Sequence, residues 1–282
     1  MKVSIVTLSY NQAPFLEEAL RSVLNQSYAD IEYIVVDPGS TDGSRDIIER
    51  YRHRLAAVIF EPDQGAADGL NKGFSLATGD VFGFLNADDV LTPSAVAEAV
   101  SLLKTRRQID VISGHCAIID VNGRKLRRAY SDRFSLKRCA YGTAILIQPS
   151  TWFRAQLYRE VGGFRVENRS NWDGELFIDM ALAGAHFGRV HRCWSAYRVH
   201  AQSITGSFKA HEAVVAYHKQ VFQRIMGRHW RRLDDGWLQF FRLVKYLETP
   251  ASLLQRLWYG PVYGSADRQS RTAASLFEEK NK

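Results

Sequence analysis

The sequence predicts an α/β protein: a mostly parallel sheet flanked by helices, with a helical extension at its C-terminal end. Three observations lead there. Residues 1–105 alternate short β-branched runs with segments of helical periodicity, the pattern of a parallel sheet covered on both faces. Residues 106–206 break that alternation with a hairpin signal and further strands. From about Phe208 the chain turns helical, aromatic and basic, without clear strands.

The elements follow in order. "VSIVTLSY" reads as a buried first strand, and Asn11 with Pro14 opens a helix whose stripe is Phe15, Leu16, Ala19, Leu20, Val23 and Leu24. "IEYIVVD" is the second strand, "PGSTDGS" a turn, and Ile47, Ile48, Tyr51 and Leu55 a second helical stripe. "AAVIFE" gives a third strand, Ala66 to Ala77 a third helix closed by Gly79, and "DVFGFLNADD" a fourth strand. Thr92-Pro93 reads as an N-cap with a first-turn proline. Asn122-Gly123, between two strand-like runs, predicts a hairpin. "TAILIQPS" is expected as a strand, then a short helix ending at Gly162-Gly163. A helix from Asp173 to Gly184 and a strand over "HRCWSAYRV" complete this part. The expected division is a domain over 1–206, in halves 1–105 and 106–206, with an extension over 207–282.

Composition narrows the class. At 282 residues the chain can bury a substantial core, and its composition is that of a globular protein. Three widely spaced cysteines with no CxxC read as reduced thiols of a cytoplasmic protein rather than bridges or a zinc site. The chain opens directly on a strand-like run, so no signal peptide is expected, and no apolar run nears the roughly 20 residues a membrane span requires. The net charge of +7 favours anionic partners without choosing among them.

In a doubly wound sheet, ligands sit at the carboxyl ends of the strands. Three polar clusters fall there: Ser9-Tyr10-Asn11, Asp37 to Asp42, and Asn86-Ala87-Asp88-Asp89. Each alone also reads as capping or turn chemistry, because Asp and Asn cap helices and brace turns. Three at successive strand ends point to a ligand. There is no GxGxxG after the first strand and no GxxxxGK[ST], which counts against dinucleotide and P-loop sites. What remains is a nucleotide site with a carboxylate for base or ribose and an acidic turn suited to a hard divalent cation.

The ordered stretches "VSIVTLSYN", "SVLNQSY", "EYIVVDPGSTDGS", "EPDQGAADGLNKGFSLATGD" and "GFLNADD" resemble family 2 glycosyltransferases of the GT-A fold, more narrowly those of bacterial polysaccharide and O-antigen biosynthesis. "IQPSTWFRAQLYREVGGF" and "NWDGELFIDMALAGAHFGRV" resemble that family's acceptor side, so the likeness runs over about residues 3–206. It implies an inverting transferase moving a hexosyl group from a nucleotide-sugar, UDP-linked by preference, to a hydroxyl of a glycan or lipid-linked acceptor. It implies donor contacts from Leu8, Tyr10, Asp37, Ser40, Asp68, Asn71, Lys72, Asn86, Ala87 and Asp88. Asp88 of the DXD-like Asn86-Ala87-Asp88 would hold Mn²⁺ or Mg²⁺, with His200 beside it. Asp173 matches the family's catalytic base, with Glu175 as the competing carboxylate; Asp173 also suits a helix N-cap. Three positions depart from the family pattern: Pro38 and Asn86 replace acidic residues, and Trp172 stands where a glutamate precedes the base.

The basic, amphipathic segment from Phe208 to Tyr263 admits three readings: docking on an anionic membrane at the inner face of the cell membrane, cover for the catalytic domain, or a homodimer contact. No nucleic acid partner is expected. Two other functions compete with the transferase: a sugar nucleotidyltransferase, whose glycine-rich start is missing, and a non-catalytic nucleotide- or membrane-binding module.

Overall fold

The computed structural model describes residues 1–169, 171–200 and 211–260, with backbone alone over 211–216. The first half runs β1 (Val3–Leu8), α1 (Ala13–Leu24), β2 (Ile31–Val36), α2 (Ser44–Tyr51), β3 (Ala57–Ile59), α3 (Ala66–Ser75), β4 (Val81–Asn86), β5 (Val90–Leu91) and α4 (Ala95–Thr105). The second half runs β6 (Val111–Ile119), β7 (Lys125–Ala129), α5 (Leu136–Ala140), β8 (Thr151–Arg154), α6 (Ala155–Glu160), α7 (Trp172–Leu182) and β9 (Phe187–Arg198). Three helices follow, α8 (His211–Met226), α9 (Asp234–Glu248) and α10 (Pro250–Tyr259).

The strands form one sheet in the order β3-β2-β1-β4-β8-β6-β9-β5, with β7 paired to β6. β3, β2, β1 and β4 are parallel, β8 is antiparallel to both β4 and β6, and β6 and β9 are parallel. The period-two pleat distributes the apolar strand residues to two cores. Val3, Ile5, Tyr33 and Val35 pack with Leu16, Leu20, Ile48 and Val96 of α1, α2 and α4. Val6, Ile34 and Val36 pack with Leu70, Phe74, Tyr158 and Phe177 of α3, α6 and α7. Burial on both faces is why these strands read as unbroken apolar runs. Gly83 interrupts β4 because a Cβ there would lie 2.4 Å from the Trp152 ring of β8. The register finishes three strands level: Leu8 pairs with Val36 on one side and Asn86 on the other. That alignment brings the three polar clusters to one edge.

Two expected elements differ. "TAILIQPS" forms no strand; its amides are taken by side chains, Ile145 N–H donating to Asp132 and Ile147 N–H to Ser131, and β8 starts only at Thr151. Thr92 is not a cap, because its N–H and hydroxyl donate to carbonyls of β9, and α4 begins at Ala95 after Ser94. The Asn122-Gly123 hairpin is present, with Gly123 at φ 77° and Asp120 accepting the Asn122 and Arg124 amides.

The C-terminal helices pack on the α/β body. Phe222 of α8 lies against Tyr141 and Trp230, the Tyr141 hydroxyl donates to Asp234, and Arg138 forks onto Glu248. The domain boundary expected near 206 lies outside the described residues. Among the described residues, no helix is long and apolar enough to cross a membrane.

Glu32 anchors the strand starts opposite the site. Its carboxylate accepts from Lys2 Nζ, Ser4 Oγ and the Thr78 amide and hydroxyl. Burial pushes this carboxyl up, but the four donors outweigh it and hold its pKa at about 2. A folded pKa below the unfolded one contributes stability that is present above pH 4.5 and lost as pH falls toward about 2. Glu32→Gln should therefore cost about 2 kcal/mol at pH 7 and flatten the stability profile between pH 5 and 2, as read by urea unfolding at stepped pH.

Candidate active site

The edge where β1 and β4 finish level is the floor of a cleft of about 540 Å³. Leu8, Tyr10, Asn86, Ala87 and Asp88 line one end, and Asn171, Trp172 and Asp173 at the start of α7 line a wall. The rest is built by β6, β7, the 145–149 segment, α9 and α10. Tyr10 is 59% exposed, a bare aromatic face at the end of β1.

Asp88 sits in the turn after β4. Its Oδ2 lies 3.0 Å from Nε2 of His200, whose ring packs against Phe15 at 4.9 Å. Asn86 donates to Gln148, whose amide in turn donates to the Phe84 carbonyl, so the first DXD-like position braces the turn. Asp89 is fully buried behind it and accepts the Arg198 N–H. Burial first and the Asp88 carboxylate second push the Asp89 carboxyl well above its ordinary value.

Arg198, at the end of β9, holds this turn. It is 1% exposed and donates to the Asp88, Asp120 and Val121 carbonyls and to Glu18, with Phe15 under its guanidinium at 4.9 Å. One side chain thereby ties the acidic turn to the β6–β7 hairpin and to α1.

Asp173 lies in the first turn of α7, not at its N-cap, which is Asn171. Its carboxylate accepts from the Gly174 amide, and burial pushes its pKa up against that donation. Glu175 does not line the cleft; Asn168 donates to it and Arg165 and Arg224 pair with it.

The other expected donor residues stand behind the cleft wall. Asp37 is fully buried; Oδ1 accepts from the Gly39 and Ser40 amides and from Arg45, while Oδ2 has no hydrogen-bond partner among the described residues. Ser40 accepts the Asn11 amide, fixing Asn11 at φ 50°. Asp42 accepts the Ala13 and Ser44 amides and so serves the starts of both α1 and α2, the capping role open to it. Asp68 accepts the Gln64 amide and pairs with Lys72, which donates to the Pro62 carbonyl. Asn71 is committed to structure: Tyr158 and the Phe164 amide donate to it and it donates to the Phe164 carbonyl.

Asp63, Arg45, Gln148 and Arg198 were not singled out in the sequence. Asp63 sits near Asp37 and Asp68 with an orphan Oδ2, and burial raises its pKa. Asp63 and Gln148 lie within the stretches that resemble the family, and Arg198 is marked by a charge at the end of an apolar strand; Arg45 carries no such signal.

Among the described residues no group of three metal-ligating side chains occurs. Asp88 and His200 are two donors, and a hard cation that also takes phosphate oxygens needs only one or two from protein. The residues therefore fit such an ion when a diphosphate completes the set.

A parallel sheet with a carboxylate-bearing turn at its strand ends and a mixed second half is the GT-A architecture. The family model for glycosyl transferase family 2 matches residues 4–162, and the chain belongs to that family. It is 39% identical over 132 residues to an uncharacterized glycosyltransferase of Nostoc sp., covering 46% of this chain and 41% of that one. It is 42% identical over 90 residues to the putative teichuronic acid biosynthesis glycosyltransferase TuaG of Bacillus subtilis, covering 31% and 36%. The aligned stretch thus spans less than half the length of either relative. Among solved structures, S. aureus TarS 1–349 with UDP-GlcNAc aligns at TM-score 0.67 and 18% identity, over 88% of this chain and 73% of that one. The mannosyltransferase PcManGT of Pyrobaculum calidifontis with GDP-Man and Mn²⁺ aligns at 0.61 and 21%, over 98% and 80%.

Because the buried Arg198 guanidinium ties three carbonyls and Glu18 together, Arg198→Ala should destabilise the protein by roughly 3 kcal/mol in denaturant unfolding. Proteolysis should then cut first near the loosened 87–89 turn or the 120–124 hairpin.

Proposed function

We propose that the protein is an inverting glycosyltransferase that takes a nucleoside-diphosphate sugar, UDP-linked by preference, and glycosylates an acceptor hydroxyl. The observation that carries this is the convergence of Tyr10, Asp88 and Asp173 on one cleft from three separate parts of the chain. Solved relatives of this fold carry UDP-GlcNAc or GDP-Man, which supports a sugar-nucleotide donor.

Tyr10 offers its exposed ring to the nucleotide base, and the unpartnered Asp37 Oδ2 stands at the next strand end for a base or ribose donor. Asp88 and His200 would hold a divalent cation, which when bound supplies the positive charge that a departing nucleoside diphosphate needs. Among the described residues, the carboxylates lining the cleft are Asp88 and Asp173. With Asp88 facing the phosphates, Asp173 takes the proton from the acceptor hydroxyl as its oxygen attacks the anomeric carbon. A single displacement from the face opposite the leaving group inverts the configuration. Burial raises the proton affinity of Asp173, the direction a general base requires.

α9 and α10 contribute Lys245, Tyr246 and Arg256 to the cleft, so the extension belongs to the acceptor side. Their outer face exposes Trp237, Phe240, Leu243, Leu247, Leu257 and Trp258, with Arg232 and Arg242 also exposed. That pairing of aromatic, leucine and arginine side chains favours contact with an anionic membrane holding a lipid-linked acceptor. Sedimentation with anionic but not neutral vesicles is expected, lost on Trp258→Glu with Leu257→Glu; a stable dimer that ignores vesicles would assign the face to self-association.

Calorimetry should show UDP or GDP binding that strengthens with Mn²⁺ and collapses in Asp88→Ala; metal-independent indifference to both nucleotides would sink the assignment. Asp173→Asn should lower kcat by about 10²–10⁴ with nucleotide affinity unchanged. Asp173 works only when ionised, so activity should fall as pH drops through its raised pKa, with the acid limb above the ordinary aspartate value of about 3.9.

A further inference from the structure

The transfer chemistry leaves one end of the cleft unused, and that end is basic. Arg127, on β7, is 4% exposed. Its Nη1 donates to the Gly260 carbonyl at 2.8 Å, and Tyr259 lies beside the guanidinium at 6.0 Å. Its Nε and Nη2 are buried with no hydrogen-bond partner among the described residues. A cation at the C-terminal end of α10 is favourable and explains the Gly260 contact. It leaves the other donors unexplained, since buried N–H groups of a charged side chain are costly to leave dry.

Nε and Nη2 share one edge of the guanidinium, the edge that grips two oxygens of a single oxyanion. Arg256 lines the same cleft, while Lys245 is already paired with Asp132 at 2.8 Å, and Arg128, next along β7, projects to the opposite face. Two guanidiniums, those of Arg127 and Arg256, thus stand without a carboxylate among the lining residues at this end. Nor is this the donor end. Ile118 of β6 pairs with Arg127 on one side and Tyr197 of β9 on the other, which sets Arg127 roughly 10 Å across the sheet from the strand bearing Arg198.

We propose that this end of the cleft binds a phosphate or diphosphate group of the acceptor, held by the free edge of Arg127 with Arg256 nearby. The inference rests on the transferase reading for the word acceptor; the anion site itself stands on Arg127.

The test is calorimetric titration with two probes, geranyl diphosphate for a lipid source and a glycerol phosphate oligomer for a phosphodiester polymer. Each is run with and without saturating UDP and Mn²⁺. At least one probe should bind wild type in the presence of nucleotide, and whichever binds names the source. Arg127→Gln should weaken it roughly tenfold, and Arg127→Lys less, with UDP affinity unchanged. Should Arg127→Gln unfold, Arg256→Gln at an exposed position of α10 carries the comparison, with about a threefold loss expected. Asp88→Ala should lose nucleotide and keep the probe, which separates failure of the donor site from failure of this one. Absence of binding by both probes, equal binding by Arg127→Gln and Arg256→Gln, or full displacement by UDP would overturn the proposal.

Discussion

The buried guanidinium of Arg198 is the constraint on which the rest of the site depends. A charge sealed from water persists only if its donors are used, and here carbonyls of Asp88, Asp120 and Val121 and the carboxylate of Glu18 use them. Those acceptors belong to the acidic turn, the β6–β7 hairpin and α1. The same interaction that neutralises the cost of burial therefore fixes the turn that presents Asp88 relative to the hairpin that carries Arg127. His200 follows two residues later and meets Asp88 because β9 ends where it does.

The cleft divides its chemistry by position. Parallel strands finishing level bring Tyr10 and Asp88 to one end, and the first turn of α7 supplies Asp173 at the wall. Around them, groups that could compete are already engaged: Glu175 by arginines, Asn71 by the Phe164 backbone, Asp42 by helix amides. The Asp88 carboxylate at one end and guanidiniums at the other give the cleft a polarity along its length, which orients a ligand bearing charge at one end.

The parallel half was legible in the sequence because strands buried on both faces and helices buried on one leave different periodicities, and "VSIVTL" and "IEYIVV" announce theirs. Asp88 and Asp173 were legible because the ordered motifs mark them. "TAILIQPS" misled because its apolar alternation is that of a strand, while Asp132 and Ser131, a turn away, take the amides a strand would offer to a neighbour. The motif around Asn71 does not reveal its partners within the protein: these depend on which loop arrives opposite, and here the turn at Gly163, φ 80°, brings the Phe164 backbone to it.

By itself the sequence determined the class of fold, the order of the elements and the carboxylates that end the strands. Local periodicity and short motifs act over a few residues, and one chain carries them in full. Only the tertiary structure decided that Arg198 is the clasp, that Glu175 is a structural partner, and that the C-terminal helices wall the cleft and leave an orphan arginine edge within it. Each of those depends on contacts between residues distant in the chain, where burial and geometry rather than residue type select the partner.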